Sequence, residues 1–132
     1  QIIIMQPSLL SFVLVAVGGA VGSAARYGVA LVGLRFGLQF PIGTLTANVL
    51  GCLIIGFISQ IAVKNDVLSP EMRLFLAAGF CGGFTTFSTF MLEITSLLEY
   101  HKIVTAALYV GVSAVGGLLA VYAGIWLAKL WT

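Results

Sequence analysis

The sequence predicts an all-α integral membrane protein with four transmembrane helices per chain, the third of them broken near its centre. Composition is the first observation: 61% of the 132 residues are hydrophobic and only 8% are charged, against about a quarter charged in an average soluble domain. Second, the apolar residues fall into four long segments. Third, one of those segments is interrupted by the stretch GGFTTFSTF at residues 82–90. We expect a single domain over residues 1–132.

Charge, proline and glycine divide the chain into its predicted helices. A helix needs about 20 residues to cross the hydrocarbon core of a membrane, and each apolar segment is at least that long. Helix is the only spanning element that fits runs of this length. A short connection, RFGLQFP, joins the first two segments, a polar loop at residues 64–73 joins the next two, and EYHK precedes the last. The predicted segments are residues 8–34, 42–63, 72–99 and 103–130.

The positive charges give the four segments almost no preferred orientation. With four spans, the side that holds both termini carries Lys64, Arg73 and Lys129, and the other side carries Arg35 and Lys102, with or without Arg26. An excess of Lys and Arg normally marks the cytoplasmic side. A chain without that excess can insert either way up, which permits an antiparallel homodimer with a two-fold axis in the membrane plane. The alternative is one topology, set by interface residues or by a partner.

Small residues recur about every fourth position in three of the segments. The stretches are GGAVGSAARYG, GTLTANVLGCLIIG and GVSAVGGLLAVYAG. Stripes of this kind let membrane helices approach closely. We therefore expect tightly packed helices, although glycine is also simply frequent in membrane helices.

The interrupted stretch predicts a break in the third helix and a site for an ion. Gly82, Gly83 and Thr85 are together poor helix formers. A break there frees carbonyls that bind a hard cation such as Na⁺ and N–H groups that favour an anion. In lipid, such a break is tolerated only inside protein or beside a wet cavity. The alternative is an unbroken helix with a packing stripe of small residues.

The phenylalanines of the stretch suit an anion better than a cation. The edge of an aromatic ring is positive, so rings can contact an anion without a fixed charge that would trap it. Phe87 and Phe90 lie three residues apart on one helix face, and Thr86, Phe90 and Glu93 also share a face. The alternative is that these rings only face lipid or fill the core.

These residues resemble a known family, the small bacterial fluoride channels called Fluc or CrcB. GGFTTFSTF is similar to the signature of that family. The resemblance extends over essentially the whole chain and includes GTLTANVLG at residues 43–51, with Asn48, and a tyrosine and a serine in the last helix. It implies a dual-topology homodimer in the bacterial inner membrane with two separate fluoride pores, which conduct passively and lower cytoplasmic fluoride. It also implies a central, structural Na⁺.

The resemblance assigns roles to particular residues. The backbone carbonyls of Gly82 and Thr85 would hold the Na⁺, and Phe87 and Phe90 would form the aromatic part of the pathway. Four polar side chains would complete the fluoride pathway beside Thr86 and Glu93: Asn48, Thr44, Tyr109 and Ser113. The next position on the face of Tyr109 and Ser113 is Gly117, which offers no hydroxyl, so the polar track departs from the pattern there.

Two charged residues lie closest to the predicted membrane centre. Charges inside a membrane are usually functional. We expect Arg26 in an aqueous vestibule, where it attracts anions, with snorkelling to the headgroups as the alternative. Glu93 would either tune the fluoride pathway or pair with a hydroxyl.

The sequence also argues against other functions. It contains no nucleophile with a base, no cluster of metal ligands and no phosphate-binding GxxxxGK[ST] motif, so an enzyme is not expected. A small multidrug or cation antiporter needs a carboxylate in its first helix, whereas the first segment here carries only Arg26. A non-transporting scaffold subunit would explain the small residues but not the pattern of hydroxyls and phenylalanines.

Overall fold

Four helices long and apolar enough to cross a membrane make up the computed structural model, which describes residues 7–64 and 67–132. The predicted fold class is confirmed, and the described residues contain no strand. Asn65 and Asp66, in the predicted polar loop, lie outside the described residues. The spanning helices are Leu9–Leu34, Ile42–Lys64, Pro70–Glu99 and Ile103–Trp131.

The first two helices begin and end at local signals in the sequence. Helix α1, Leu9–Leu34, begins at Ser8. The hydroxyl of Ser8 accepts from the backbone N–H of Ser11, and the hydroxyl of Ser11 accepts from the backbone N–H of Ser8. Each hydroxyl therefore satisfies an N–H group that the helix leaves free. After α1 a turn reaches Gly37, whose φ of 59° favours glycine. Helix α2, Ile42–Lys64, follows directly after a proline.

The third span is a series of shorter pieces. Helix α3, Pro70–Arg73, has Ser69 as its N-cap. It continues as a π-helical stretch, Leu74–Cys81, and then as α4, Gly82–Phe84. Helix α5, Ser88–Glu99, starts after a gap. A tight turn leads to α6, Ile103–Trp131.

Glycines bring the helices into backbone contact, as the small-residue stripes predict. Helix α6 packs along α2, and a Cβ atom at Gly124 would overlap the carbonyl oxygen of Leu53. Helix α1 packs along the first half of the third span, where a Cβ atom at Gly22 would overlap the carbonyl oxygen of Phe80. The helices are therefore closer together than helices with larger side chains could be.

Two small clusters of buried side chains lie on either side of the gap in the third span. Ala77 and Cys81 pack against Ile58 of α2 before the gap. After it, Leu97 packs against Ala106 and Tyr109 of α6. The gap itself lies between these clusters and is lined by polar groups.

Candidate functional site

The third span is interrupted at Thr85, Thr86 and Phe87, which belong to no helix. Thr85 has an extended backbone, with φ −87° and ψ 157°. The predicted break is therefore present, but it begins after the glycines and not at them, because Gly82 and Gly83 are helical. Gly83 serves close packing instead, since a Cβ atom there would overlap the carbonyl oxygen of Gly19.

The side-chain amide of Asn48 takes the place of the missing helix at Thr86. Its Oδ1 accepts from the Thr86 N–H at 2.8 Å, and its Nδ2 donates to the Thr86 carbonyl at 3.0 Å. In a continuous helix the Thr86 N–H would donate to the Gly82 carbonyl. The amide holds the backbone open and still satisfies both groups, with one Nδ2 hydrogen left over.

The hydroxyls of the two threonines close the ends of the helices at the gap. Thr85 Oγ1 donates to the Cys81 carbonyl at 2.8 Å, within the last turn of the first half. Thr86 Oγ1 accepts from the Thr89 N–H at 3.2 Å, in the first turn of α5. The Thr86 hydroxyl, one residue before the N-cap Phe87, therefore satisfies one of the free N–H groups in the first turn of α5. Since Thr86 precedes that helix, the expectation that it shares a helix face with Phe90 and Glu93 is wrong. Thr86 and Phe90 nevertheless line the same groove, which is described below.

On the other side of the gap, two α1 side chains donate to the Gly83 carbonyl. Arg26 Nε does so at 2.9 Å and Ser23 Oγ at 3.5 Å. In a continuous helix this carbonyl would accept from the N–H of Phe87. Arg26 thus supports the broken backbone, and it lies outside the walls of both cavities described below. The vestibule role expected for Arg26 stays a prediction.

The backbone carbonyls of Gly82 and Thr85 lie beside the gap. Among the described residues, no hydrogen bond ends on the carbonyl of Gly82 or of Thr85. Both residues line the same groove. A Cβ atom at Gly82 would meet nothing within 4 Å, so this part of the backbone is open on the outer face of the chain.

The groove has a volume of about 740 Å³ and collects most of the predicted pathway residues. The rings of Phe87 and Phe90 stand 6.1 Å apart on one wall. Asn48 and Ser113 lie on the walls supplied by α2 and α6. The Oγ of Ser113 is enclosed and has no hydrogen-bond partner in the described part of the chain. The groove therefore joins ring edges, a free hydroxyl and free carbonyls.

A buried polar network lies beside the ring of Phe90. Glu93 accepts a hydrogen bond on each carboxyl oxygen, from Thr44 Oγ1 at 2.7 Å and from the Tyr109 hydroxyl at 2.6 Å. The predicted alternative that Glu93 pairs with a hydroxyl is therefore present, and it is present twice. Tyr109 is completely buried, and its ring meets Phe90 edge to face with centroids 4.9 Å apart.

This network separates the groove from a second cavity of about 670 Å³. Thr44 and Glu93 line the second cavity, whereas Phe90 lines the groove and Tyr109 touches both Glu93 and Phe90. A line of polar groups and ring edges thus runs through the protein from one cavity to the other. Because α2, α5 and α6 each contribute to it, the line depends on the tight packing of these helices.

The polar track ends where the sequence departs from the expected pattern. Gly117 is buried, and a Cβ atom there would lie 3.3 Å from Cys52 Sγ. It supplies no polar side chain to the groove. Sequence reasoning missed the residues that support the site from outside, Ser23, Gln39 and Lys102. The only signal for them is their polarity in or beside apolar segments.

The chain is similar to proteins of one family along nearly all of its length. The family described as "CrcB-like protein, Camphor Resistance (CrcB)" matches residues 13–125. A protein of Chlorobium phaeobacteroides (strain BS1) is 54% identical over 121 residues, which cover 92% of this chain and 94% of the relative. One of Chlorobaculum tepidum is 51% identical over 89% of this chain and 94% of the relative. One of Prosthecochloris aestuarii is 44% identical over 97% and 100%. All three relatives are named "Fluoride-specific ion channel FluC".

Proposed function

The chain belongs to the CrcB-like protein family, and on that premise we propose that it is a fluoride-specific ion channel of the bacterial membrane, not an enzyme. The observation that carries the proposal is the groove at the broken third span, where Phe87 and Phe90 face the polar side chains of Asn48 and Ser113. Relatives that are 44–54% identical carry the name of fluoride channels.

The chemistry of the groove suits a small, strongly hydrated anion. A channel for such an ion replaces its water with several weak donors and avoids a fixed positive charge that would hold it. The groove offers ring edges and the second Nδ2 hydrogen of Asn48, and its wall includes Ser113, whose hydroxyl is enclosed and has no partner among the described residues. No Lys or Arg lines it. Transport would be passive, and an inside-negative potential would favour export of fluoride from the cytoplasm.

We propose further that two chains form an antiparallel homodimer with two pores. Broken backbone is not tolerated against lipid, yet the gap is open on the outer face, where Phe87 is 72% exposed. A second copy would cover it, and in an isologous dimer each patch meets its own copy. The nearly equal positive charge on the two sides of the membrane supports insertion in both orientations.

The free carbonyls at the gap fit a structural Na⁺ on the two-fold axis of that dimer. Na⁺ is a hard cation that oxygen ligands bind, and Gly82 and Thr85 offer two oxygens per chain. The ion would supply positive charge near the midplane and lower the cost of bringing an anion there. Half of the ligands would be missing in a single chain.

The function is tested with purified protein in liposomes loaded with fluoride or chloride. We expect rapid fluoride efflux at a fluoride-selective electrode and chloride efflux close to that of empty liposomes. Comparable chloride efflux would refute fluoride specificity. Proton-coupled uptake of organic cations would favour the antiporter, and no flux of any ion would favour the scaffold subunit.

The antiparallel arrangement is tested separately, by labelling intact cells that express a His101→Cys variant with a membrane-impermeant thiol reagent. His101 lies in the exposed turn before α6. About half of the variant should react from outside, and the parent chain controls for Cys52 and Cys81. Labelling of all molecules or of none would exclude mixed orientation.

A further inference from the structure

The second cavity contains one positive charge that the proposed pathway does not use, the ammonium group of Lys102. Lys102 is only partly exposed, and its Nζ donates to Gln39 Oε1 at 2.8 Å. Both residues line the cavity, whose inner wall includes Thr44 and Glu93. The charge therefore lines the same cavity as the Thr44 and Glu93 side chains of the polar network.

The only hydrogen bond of the Lys102 ammonium group in the described part of the chain goes to a neutral partner. Lys102 forms no ion pair with a carboxylate among residues 7–64 and 67–132. Its hydrogen bond to Gln39 goes to a neutral oxygen and uses one of the three N–H donors of the ammonium group. Two donors and a full charge stay available toward the cavity.

Glu93 also lines the cavity, but its carboxyl group forms its hydrogen bonds with groups other than Lys102. Both oxygens of Glu93 accept from hydroxyls, Thr44 on α2 and Tyr109 on α6. These bonds fix the carboxyl group at the boundary with the groove. Glu93 therefore lies where the cavity meets the polar network, and it forms no hydrogen bond with Lys102.

The first residues of α2 add to the positive potential of the cavity. Ile42, Gly43 and Thr44 line it and form the start of a 23-residue helix. The N-terminal end of a helix carries a partial positive charge. The partial charge of the helix end adds to the positive potential of Lys102 but is smaller than the full charge of an ammonium group.

We infer that the cavity around Lys102 is an anion-collecting entrance to the channel, in which the Lys102 charge raises the local concentration of fluoride before it reaches Glu93, Thr44 and Tyr109. The inference rests on the proposed function. A cavity with low-dielectric walls focuses the field of a charge and increases the rate at which ions of opposite sign enter. The lysine acts on entry and leaves the choice between anions to the narrow pathway.

The experiment compares initial fluoride flux in liposomes, at fluoride concentrations far below saturation, for wild type, Lys102→Gln and Lys102→Arg. At an ionic strength of about 10 mM, where screening is weak, we expect Lys102→Gln to reduce the flux about two- to fivefold, the effect of one charge at about 10 Å. Lys102→Arg should keep most of the flux. Lys129→Gln removes a positive charge at the far end of α6 and serves as the matched control.

Salt separates an electrostatic role from a structural one. Raising the ionic strength to about 300 mM with an impermeant organic salt, at constant Na⁺, should bring wild type close to Lys102→Gln. This measurement on the wild type decides the matter even if a variant does not fold. Equal flux of wild type and Lys102→Gln at low salt, or a wild-type flux that does not depend on salt, overturns the inference while the channel function stands. A wild type without fluoride flux instead refutes the proposed function.

Discussion

The side chain of Asn48 is hydrogen-bonded to both backbone groups of Thr86, at 2.8 and 3.0 Å, and so completes a helix that the third span leaves open. These two residues are 38 positions apart in the chain. A side-chain amide carries an acceptor and a donor side by side, so it can satisfy the N–H and the C=O of one residue at once.

Replacement of Asn48 by leucine is expected to destabilise the protein severely. Leucine leaves the Thr86 N–H and C=O without partners, at a cost of about 1–3 kcal/mol for each group. Thermal unfolding in detergent measures the effect, with Thr46→Val on the exposed face of the same helix as the control. A melting temperature equal to that of the control would show that the pairing with Thr86 carries little free energy.

The bond from Tyr109 to Glu93 is expected to be coupled to the bond from Thr44. Tyr109→Phe keeps the ring contacts with Phe90 and Phe40 but leaves one oxygen of Glu93 without its hydrogen bond, at a cost of about 1–3 kcal/mol. Because Thr44→Val strips the other oxygen of the same carboxylate, the double variant should not equal the sum of the single ones. Free energies of unfolding give the coupling, and strict additivity would contradict it.

Replacement of Phe90 by leucine is expected to reduce fluoride flux about tenfold. The free energy of unfolding should fall only slightly. Leucine fills part of the space but has no positive ring edge for an anion. Phe12→Leu, on the outer face of α1 with 71% exposure, is the control for loss of a phenylalanine as such. Equal flux in the two variants would mean that the Phe90 ring serves packing alone.

The two glycines before the gap are expected to respond differently to alanine. At Gly83 the new methyl group would overlap the carbonyl oxygen of Gly19, so helix α1 must move away. Overpacking of this kind costs about 1–3 kcal/mol. At Gly82 the methyl group meets nothing within 4 Å of its own chain. Gly83→Ala should therefore lower the melting temperature of the chain, and Gly82→Ala should instead weaken association of the proposed dimer, measured by cross-linking.

Strict removal of Na⁺ is expected to abolish fluoride flux and to weaken the dimer. Without Na⁺, the Gly82 and Thr85 carbonyls of the two proposed subunits would face one another with no cation between them. Flux is measured with N-methylglucamine in place of Na⁺ on both sides of the liposome membrane and again after Na⁺ is restored. Full activity throughout the Na⁺-free period would remove the ion from the proposal.

The four spanning segments could be predicted because apolar length and the position of charges set them directly. The break in the third span could be predicted as well, but not its exact place. The sequence predicts the break at Gly82, Gly83 and Thr85, but only Thr85 of these three lies in it. There a hydroxyl bonds back to Cys81 and the backbone turns extended. Gly83 lies in a helix and packs tightly against α1, where its lack of a side chain is needed, whereas Gly82 is helical without any such close neighbour in its own chain.

The members of the site could be predicted more easily than the bonds between them. Asn48, Thr44, Tyr109 and Glu93 are polar residues in apolar segments, which singles them out. That Asn48 holds Thr86, or that one carboxylate receives two hydroxyls, depends on how α2, α5 and α6 are rotated about their axes, and no local pattern records this. Arg26 shows the same limit, since its guanidinium is used by a carbonyl of the third span.

The order of synthesis gives the Asn48 amide a further consequence. A ribosome delivers the chain from its amino end, so α2 is already in the bilayer when the third span emerges. The two Thr86 backbone groups, which would be costly to leave unpaired in a membrane, therefore have their acceptor and donor within the same polypeptide. A single chain can in this way satisfy both backbone groups of Thr86 without help from another protein molecule.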